Sequence, residues 1–240
     1  MIHFNKEDLE LNELICFLHI PKTGGKTMWK ILDGKNEEIL VWHGKHFKKL
    51  KKPTDYFTML RDPVDRVIST YYYIKSYERD PLHKQVKNMT FENFLSYMKD
   101  EGVGDKQYHK TDLRSIRYRT VNLATRYLSG GDPNNIKKAR RNLNEYFSEV
   151  GFTERFSESL FFLAQHFEWK DTLKVERVNK TQNRPKSHEV DPAIIKQIKK
   201  LNHYDIVLYN YALKKFEKRI AALSDQQKQA LEEWKKNFEG

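Results

Sequence analysis

The chain has 240 residues, 32% of them charged and 13% aromatic, which suits one α/β domain with a sizeable core and excludes a disordered or low-complexity protein. Its 44 Lys and Arg against 33 Asp and Glu leave a formal charge of +11, which favours an anionic partner: nucleic acid, a membrane surface, a nucleotide or an acidic glycan. A single cysteine, Cys16, excludes an intramolecular disulfide, and the absence of a secretory signal, transit peptide or bilayer-length apolar run points to the cytoplasm.

Residues 14–20 form a short apolar run, Pro-Lys-Thr-Gly-Gly follows, and a helical pattern continues through Met28, Trp29, Ile31 and Leu32. This predicts a strand, a turn and a helix, with Cys16 as a buried core thiol. The runs 38–42 and 56–60 lack helical period and suit buried parallel strands. A helix opens at Pro63 and passes through Tyr71, Tyr72 and Tyr73. From residue 80 the pattern is mostly helical. Thr90 caps 91–99, Asp132-Pro133 opens a helix to Phe147, residues 157–167 form another, and 149–153 are a candidate strand. Residues 180–191 read as a loop. The tail from Ser224 is an amphipathic helix carrying Leu231, Trp234 and Phe238 on one stripe. No repeat divides the chain, so residues 1–240 are one domain, with a core of about 14–220 and a terminal helix over 224–240.

A glycine-rich turn between a strand and a helix points backbone N–H groups and the positive end of the helix dipole at one spot, where phosphate binds. Lys22, Thr23, Gly24, Gly25, Lys26 and Thr27 supply charge, close backbone approach and hydroxyls. The nucleoside triphosphatase loop, Gly-x-x-x-x-Gly-Lys-Thr, requires glycine at position 20, where this chain has Ile20. Lys22 stands where that loop asks for no lysine. A second segment, residues 60–73, places Arg61 at the carboxyl end of a strand, where ligands gather in open α/β sheets. Arg66, Ser69 and Tyr73 recur at i, i+3 and i+7 and line one helical face. The Arg61 guanidinium and a helix hydroxyl form a fork for a second phosphate group.

His-Ile-Pro-Lys-Thr-Gly-Gly-Lys-Thr followed by Arg-Asp-Pro-x-x-Arg-x-x-Ser-x-Tyr-Tyr resembles the paired cofactor motifs of the sulfotransferases, in the branch of the heparan sulfate 2-O- and 6-O-sulfotransferases. Blocks at 122–130, 150–160, 179–185 and 205–211 are similar to later family blocks in the same order, so the resemblance covers roughly residues 14–220. It implies a P-loop-like three-layer α/β fold, with a central parallel sheet flanked by helices and a helix-rich C-terminal half. It also implies 3′-phosphoadenosine 5′-phosphosulfate (PAPS) as sulfuryl donor, no metal, and a hydroxyl acceptor, a carbohydrate. Lys22, Thr23, Gly24, Gly25, Lys26 and Thr27 would hold the 5′-phosphosulfate end, Arg61 and Ser69 the 3′-phosphate, and Thr181 and Arg184 would lie over the cofactor.

Sulfuryl transfer builds charge on the oxygen that leaves, and Lys22 is the candidate to stabilise it. Trp-His-Gly-Lys-His-Phe after the second strand offers a neutral imidazole to take the acceptor's proton. Gly44-Lys45-His46 looks like the catalytic histidine segment of the 6-O branch, which favours His46 as base. His43 is second, since the 2-O branch has two nearby histidines. His19, inside its strand, orders the loop. Lys48, Lys49, Lys51 and Lys52, with Arg114, Arg117 and Arg119, would draw in an acidic saccharide. Neither nucleic acid nor a membrane is then an expected partner. The competing readings are a nucleotide kinase-like phosphotransferase and a silent polyanion-binding protein. Ile20 and the Arg61/Ser69 pair count against the first, and His46 against the second.

Overall fold

The computed structural model describes residues 1–5, 10–99, 115–169, 185 and 187–239. Five strands, β1 (Ile2–Phe4), β2 (Leu14–His19), β3 (Ile39–His43), β4 (Thr54–Leu60) and β5 (Phe147–Phe152), pair in the order β1-β3-β2-β4-β5. All four pairings are parallel. The helices among the described residues are α1 (Gly25–Asp33), α2 (Pro63–Ser76), α3 (His83–Val86), α4 (Phe91–Lys99), α5 (Ile116–Thr120), α6 (Leu123–Ser129), α7 (Ile136–Tyr146), α8 (Phe156–His166), α9 (Pro192–Leu201), α10 (His203–Ala221) and α11 (Asp225–Glu239).

A parallel sheet covered on both faces needs strands that are apolar on both sides, hence the continuous runs in β2 and β3. Phe17 packs on one face with Phe57, Met28 and Leu32 of α1 and Leu160 and Leu163 of α8. Its neighbours Cys16 and Leu18 pack on the other with Trp42, Tyr127 of α6, Leu143 of α7 and Leu208 of α10. The result is a three-layer α/β fold. A further apolar cluster joins Val67 and Ile68 of α2 to Phe94 of α4 and Ile198 of α9.

Local chemistry sets most of the ends. Asp62 caps α2 by accepting from the Asp65 N–H at 2.9 Å, with Pro63 in the first turn. Thr90 Oγ1 accepts from Asn93 N–H ahead of α4. The helix expected to open at Asp132-Pro133 begins later, because the Asp132 carboxylate closes a local turn on Asn134 and Asn135 caps α7. Leu231 of the terminal helix is buried, and Trp234 Nε1 donates to Ser157 O at 2.9 Å. The Phe238 side chain lies outside the described part. No helix among the described residues is long and apolar enough to cross a membrane.

Candidate functional site

β2 and β3 end side by side, with their last residues His19 and His43 in register. The two rings stack 5.0 Å apart with their Nδ1 atoms at 2.8 Å, so one nitrogen carries the shared proton and the other accepts it. Trp29 of α1 meets both rings edge to face, at 4.9 and 5.1 Å. Burial, then His43 and Lys22, push His19 down to about 3, and burial also lowers His43. Both rings are neutral near pH 7.

The chain leaves β2 through a turn with positive φ at Lys22 (71°) and Gly24 (87°). Thr23 Oγ1 closes it by donating to Ile20 O at 2.8 Å. A Cβ on Gly25 would stand 1.9 Å from His19 Nε2, so only glycine lets α1 start against that ring. Helix α1 therefore begins at the turn itself, with its first backbone N–H groups directed at the same spot. The Lys22 ammonium sits 3.8 Å from the centre of the Tyr73 ring of α2, and Lys26 lies 5.9 Å from that of Tyr77.

Arg61, just past β4, joins the glycine turn to α2. Its Nη1 donates to Lys22 O and to Ser69 Oγ, both at 3.1 Å, while Nε donates to Asp65 Oδ2 at 2.7 Å. Arg61 and Ser69 are thus together as expected, and Asp65 is a further partner the sequence reading did not assign. Arg66 shares α2 with Ser69 and Tyr73 but takes no part in the contact between Arg61 and Ser69. Its buried guanidinium donates to Arg119 O and Thr120 O, the open carbonyls at the end of α5, and lies 3.8 Å from Asp205. That arginine ties three helices together.

His46, three residues past His43, stands in a different neighbourhood. Its Nε2 is 3.1 Å from the Tyr118 hydroxyl, and its ring meets Tyr127 edge to face at 5.2 Å. Burial, then Arg126, lower its pKa. Arg126 lies over the Tyr118 ring at 4.4 Å. Tyr118 and Arg126 carried no role in the sequence reading, although Arg126 sits in the block 122–130 that was singled out there.

The expected basic surface is dispersed. Lys49 lies over Tyr146, the last residue of α7, just ahead of β5, so it sits at the end of the sheet away from the loop. Arg117 donates to Met98 O and Lys99 O at the end of α4, and both guanidinium ends of Arg119 hold Asp80. Arg114, Thr181 and Arg184 lie outside the described residues.

The sequence profile of the sulfotransferase family matches residues 10–212, a span that runs from ahead of β2 into α10 and includes the glycine turn, Arg61, Ser69 and both histidines. The chain belongs to the sulfotransferase family. A protein-tyrosine sulfotransferase of Arabidopsis thaliana is 32% identical over 94 residues, an alignment covering 29% of this chain and 19% of that relative. The match thus takes in about a fifth of the relative's length.

Proposed function

We propose that the protein moves a sulfuryl group from PAPS to a hydroxyl of a carbohydrate acceptor, with Lys22 at the leaving oxygen and His46 as general base. The observation that carries this reading is Arg61, which donates at once to the Lys22 carbonyl and the Ser69 hydroxyl and so fixes the spacing of the two segments proposed to bind anions. PAPS, when bound, supplies an activated sulfuryl group and a bisphosphate that leaves. The residues fit such a donor: the glycine turn admits no Cβ at Gly25, and Arg61 with Ser69 offers a second grip. Lys22, Thr23, Gly24, Gly25, Lys26 and Thr27 would hold the 5′ end, Arg61 and Ser69 the 3′-phosphate, with Thr181 and Arg184 proposed to complete the site.

The Lys22 ammonium lowers the barrier by meeting charge that grows only as the bond breaks. The neutral imidazole of His46 takes a proton at Nε2, with the Tyr118 hydroxyl beside it. A phenolic acceptor is the second reading, favoured by the tyrosine sulfotransferase relative. A kinase is disfavoured because Ile20, in place of the first loop glycine, is buried in the core.

Thermal unfolding tests the donor. Adenosine 3′,5′-bisphosphate without magnesium should raise the melting temperature by several degrees, since a ligand at 100 times its Kd adds about 2.7 kcal/mol. A larger shift from ATP with magnesium would replace the proposal with phosphoryl transfer.

A further inference from the structure

Four arginines crowd the region around α5 and α6, and one of them lacks what the others have. Arg66 holds two carbonyls and faces Asp205, Arg117 holds two carbonyls, and Arg119 holds Asp80. Arg126 is nine-tenths buried, at 9% exposure, yet its guanidinium finds no hydrogen bond or ion pair among the described residues. Its Nε is fully buried and has no hydrogen-bond partner among the described residues. The group rests on the Tyr118 ring, whose hydroxyl meets His46 Nε2.

A buried cation with no partner among the described residues costs stability, and proteins keep such costs where something binds. The missing partner is an anion, and a planar guanidinium fits a carboxylate through two parallel hydrogen bonds. We propose that Arg126 recognises a carboxylate of an acidic saccharide and so sets a neighbouring hydroxyl of that sugar at His46. The proposal rests on the sulfotransferase reading of the His46 site. One tyrosine ring separates guanidinium from imidazole, and a uronate residue carries its carboxylate and hydroxyls at comparable spacing on one rigid ring. In an acidic peptide the phenol and the neighbouring carboxylate sit on separate flexible side chains, and ordering both would cost affinity.

Calorimetric titration tests this on protein saturated with adenosine 3′,5′-bisphosphate. The probes are a hexasaccharide of alternating glucuronate and N-acetylglucosamine, and the same hexasaccharide with its carboxyls reduced to alcohols. Arg126→Met should weaken the acidic probe roughly 30-fold or more, the loss typical of breaking a buried charge pair, and leave the reduced probe unchanged. Arg126→Lys should restore part of the loss. Bisphosphate affinity should stay at the wild-type value, and the melting temperature of Arg126→Met should rise, because an unpaired buried charge has gone. A lower melting temperature with unchanged binding of the acidic probe would make Arg126 part of the scaffold and overturn the proposal. So would loss of bisphosphate affinity in Arg126→Met, which would assign the residue to the donor, or wild-type preference for an acidic tyrosine peptide over the saccharide. If wild-type protein failed to bind the bisphosphate, the sulfotransferase reading would fall and this proposal with it, whereas bisphosphate binding without saccharide binding overturns the proposal alone.

Discussion

His43 and His46 are three residues apart and have different neighbours, which gives their substitutions different signatures. His46 faces Tyr118 and Tyr127, while His43 is tied through His19 to the glycine turn. If His46 is the base, as proposed, its replacement by alanine should lower turnover roughly 10²–10⁴-fold with bisphosphate affinity kept. His43→Ala frees His19 and should act mainly on donor affinity. Burial and Arg126 hold the His46 imidazole below its ordinary value, so the ring stays neutral somewhat below pH 6.5 and the acid limb of the turnover profile should lie there. Stopped assays of both variants across pH 5 to 8 decide the matter. If His43→Ala is dead and His46→Ala active, the roles exchange, and if both are active the base is not a histidine.

The β2–turn–α1 element was legible in the sequence because its determinants are local: an apolar run, a proline, two adjacent glycines and a helical period. What the sequence did not show is why Gly25 must be glycine, since the answer is a ring six residues back at the end of the strand. Gly25→Ala places a methyl group 1.9 Å from His19 Nε2, so either the ring gives up its bond to His43 or the turn shifts. Overpacking of this kind typically costs 1–3 kcal/mol, and the variant should show a lower urea midpoint together with weaker bisphosphate binding. Wild-type affinity in Gly25→Ala would mean that the turn's contact with His19 does not shape the anion site. Elsewhere the strands fall within two residues of their expected ends, whereas β1, three residues long, is too short to show a period. The pattern expects Phe147 to end a helix, whereas it opens β5, since a side chain buried at the end of one element looks the same at the start of the next. The partners of Arg66 are not legible in the sequence, because helical spacing names the face a residue shares but not the open carbonyls at the end of α5 that capture it. Arg126 needed the whole packing around Tyr118 before its isolation could be seen.

At the scale of the molecule, three histidines with lowered pKa values, His19, His43 and His46, stand at or just past the strand ends beside the candidate site, in a chain of net charge +11. The sign of the pH effect follows from proton counting. The unfolded chain binds a proton on each near pH 6.5, whereas the folded His19 resists until about 3, so the unfolded state takes up more protons as pH falls. The stability from keeping His19 neutral is fully present above pH 6.5 and is lost on acidification toward 3. His19 alone should remove about 2 kcal/mol between pH 7 and 5, a sizeable share of the 5–15 kcal/mol typical of a domain. Most paired carboxylates titrate lower, so this interval isolates the histidines, although the rising positive charge adds self-repulsion in the same direction. Urea unfolding of wild type and His19→Asn at pH 7, 6 and 5 separates the two. The variant should be less stable at pH 7, having lost the bond to His43, and its stability should fall less steeply with acid. Parallel slopes in the two proteins would show that the imidazole of His19 takes up its proton as readily folded as unfolded, and that general charge repulsion governs the acid response.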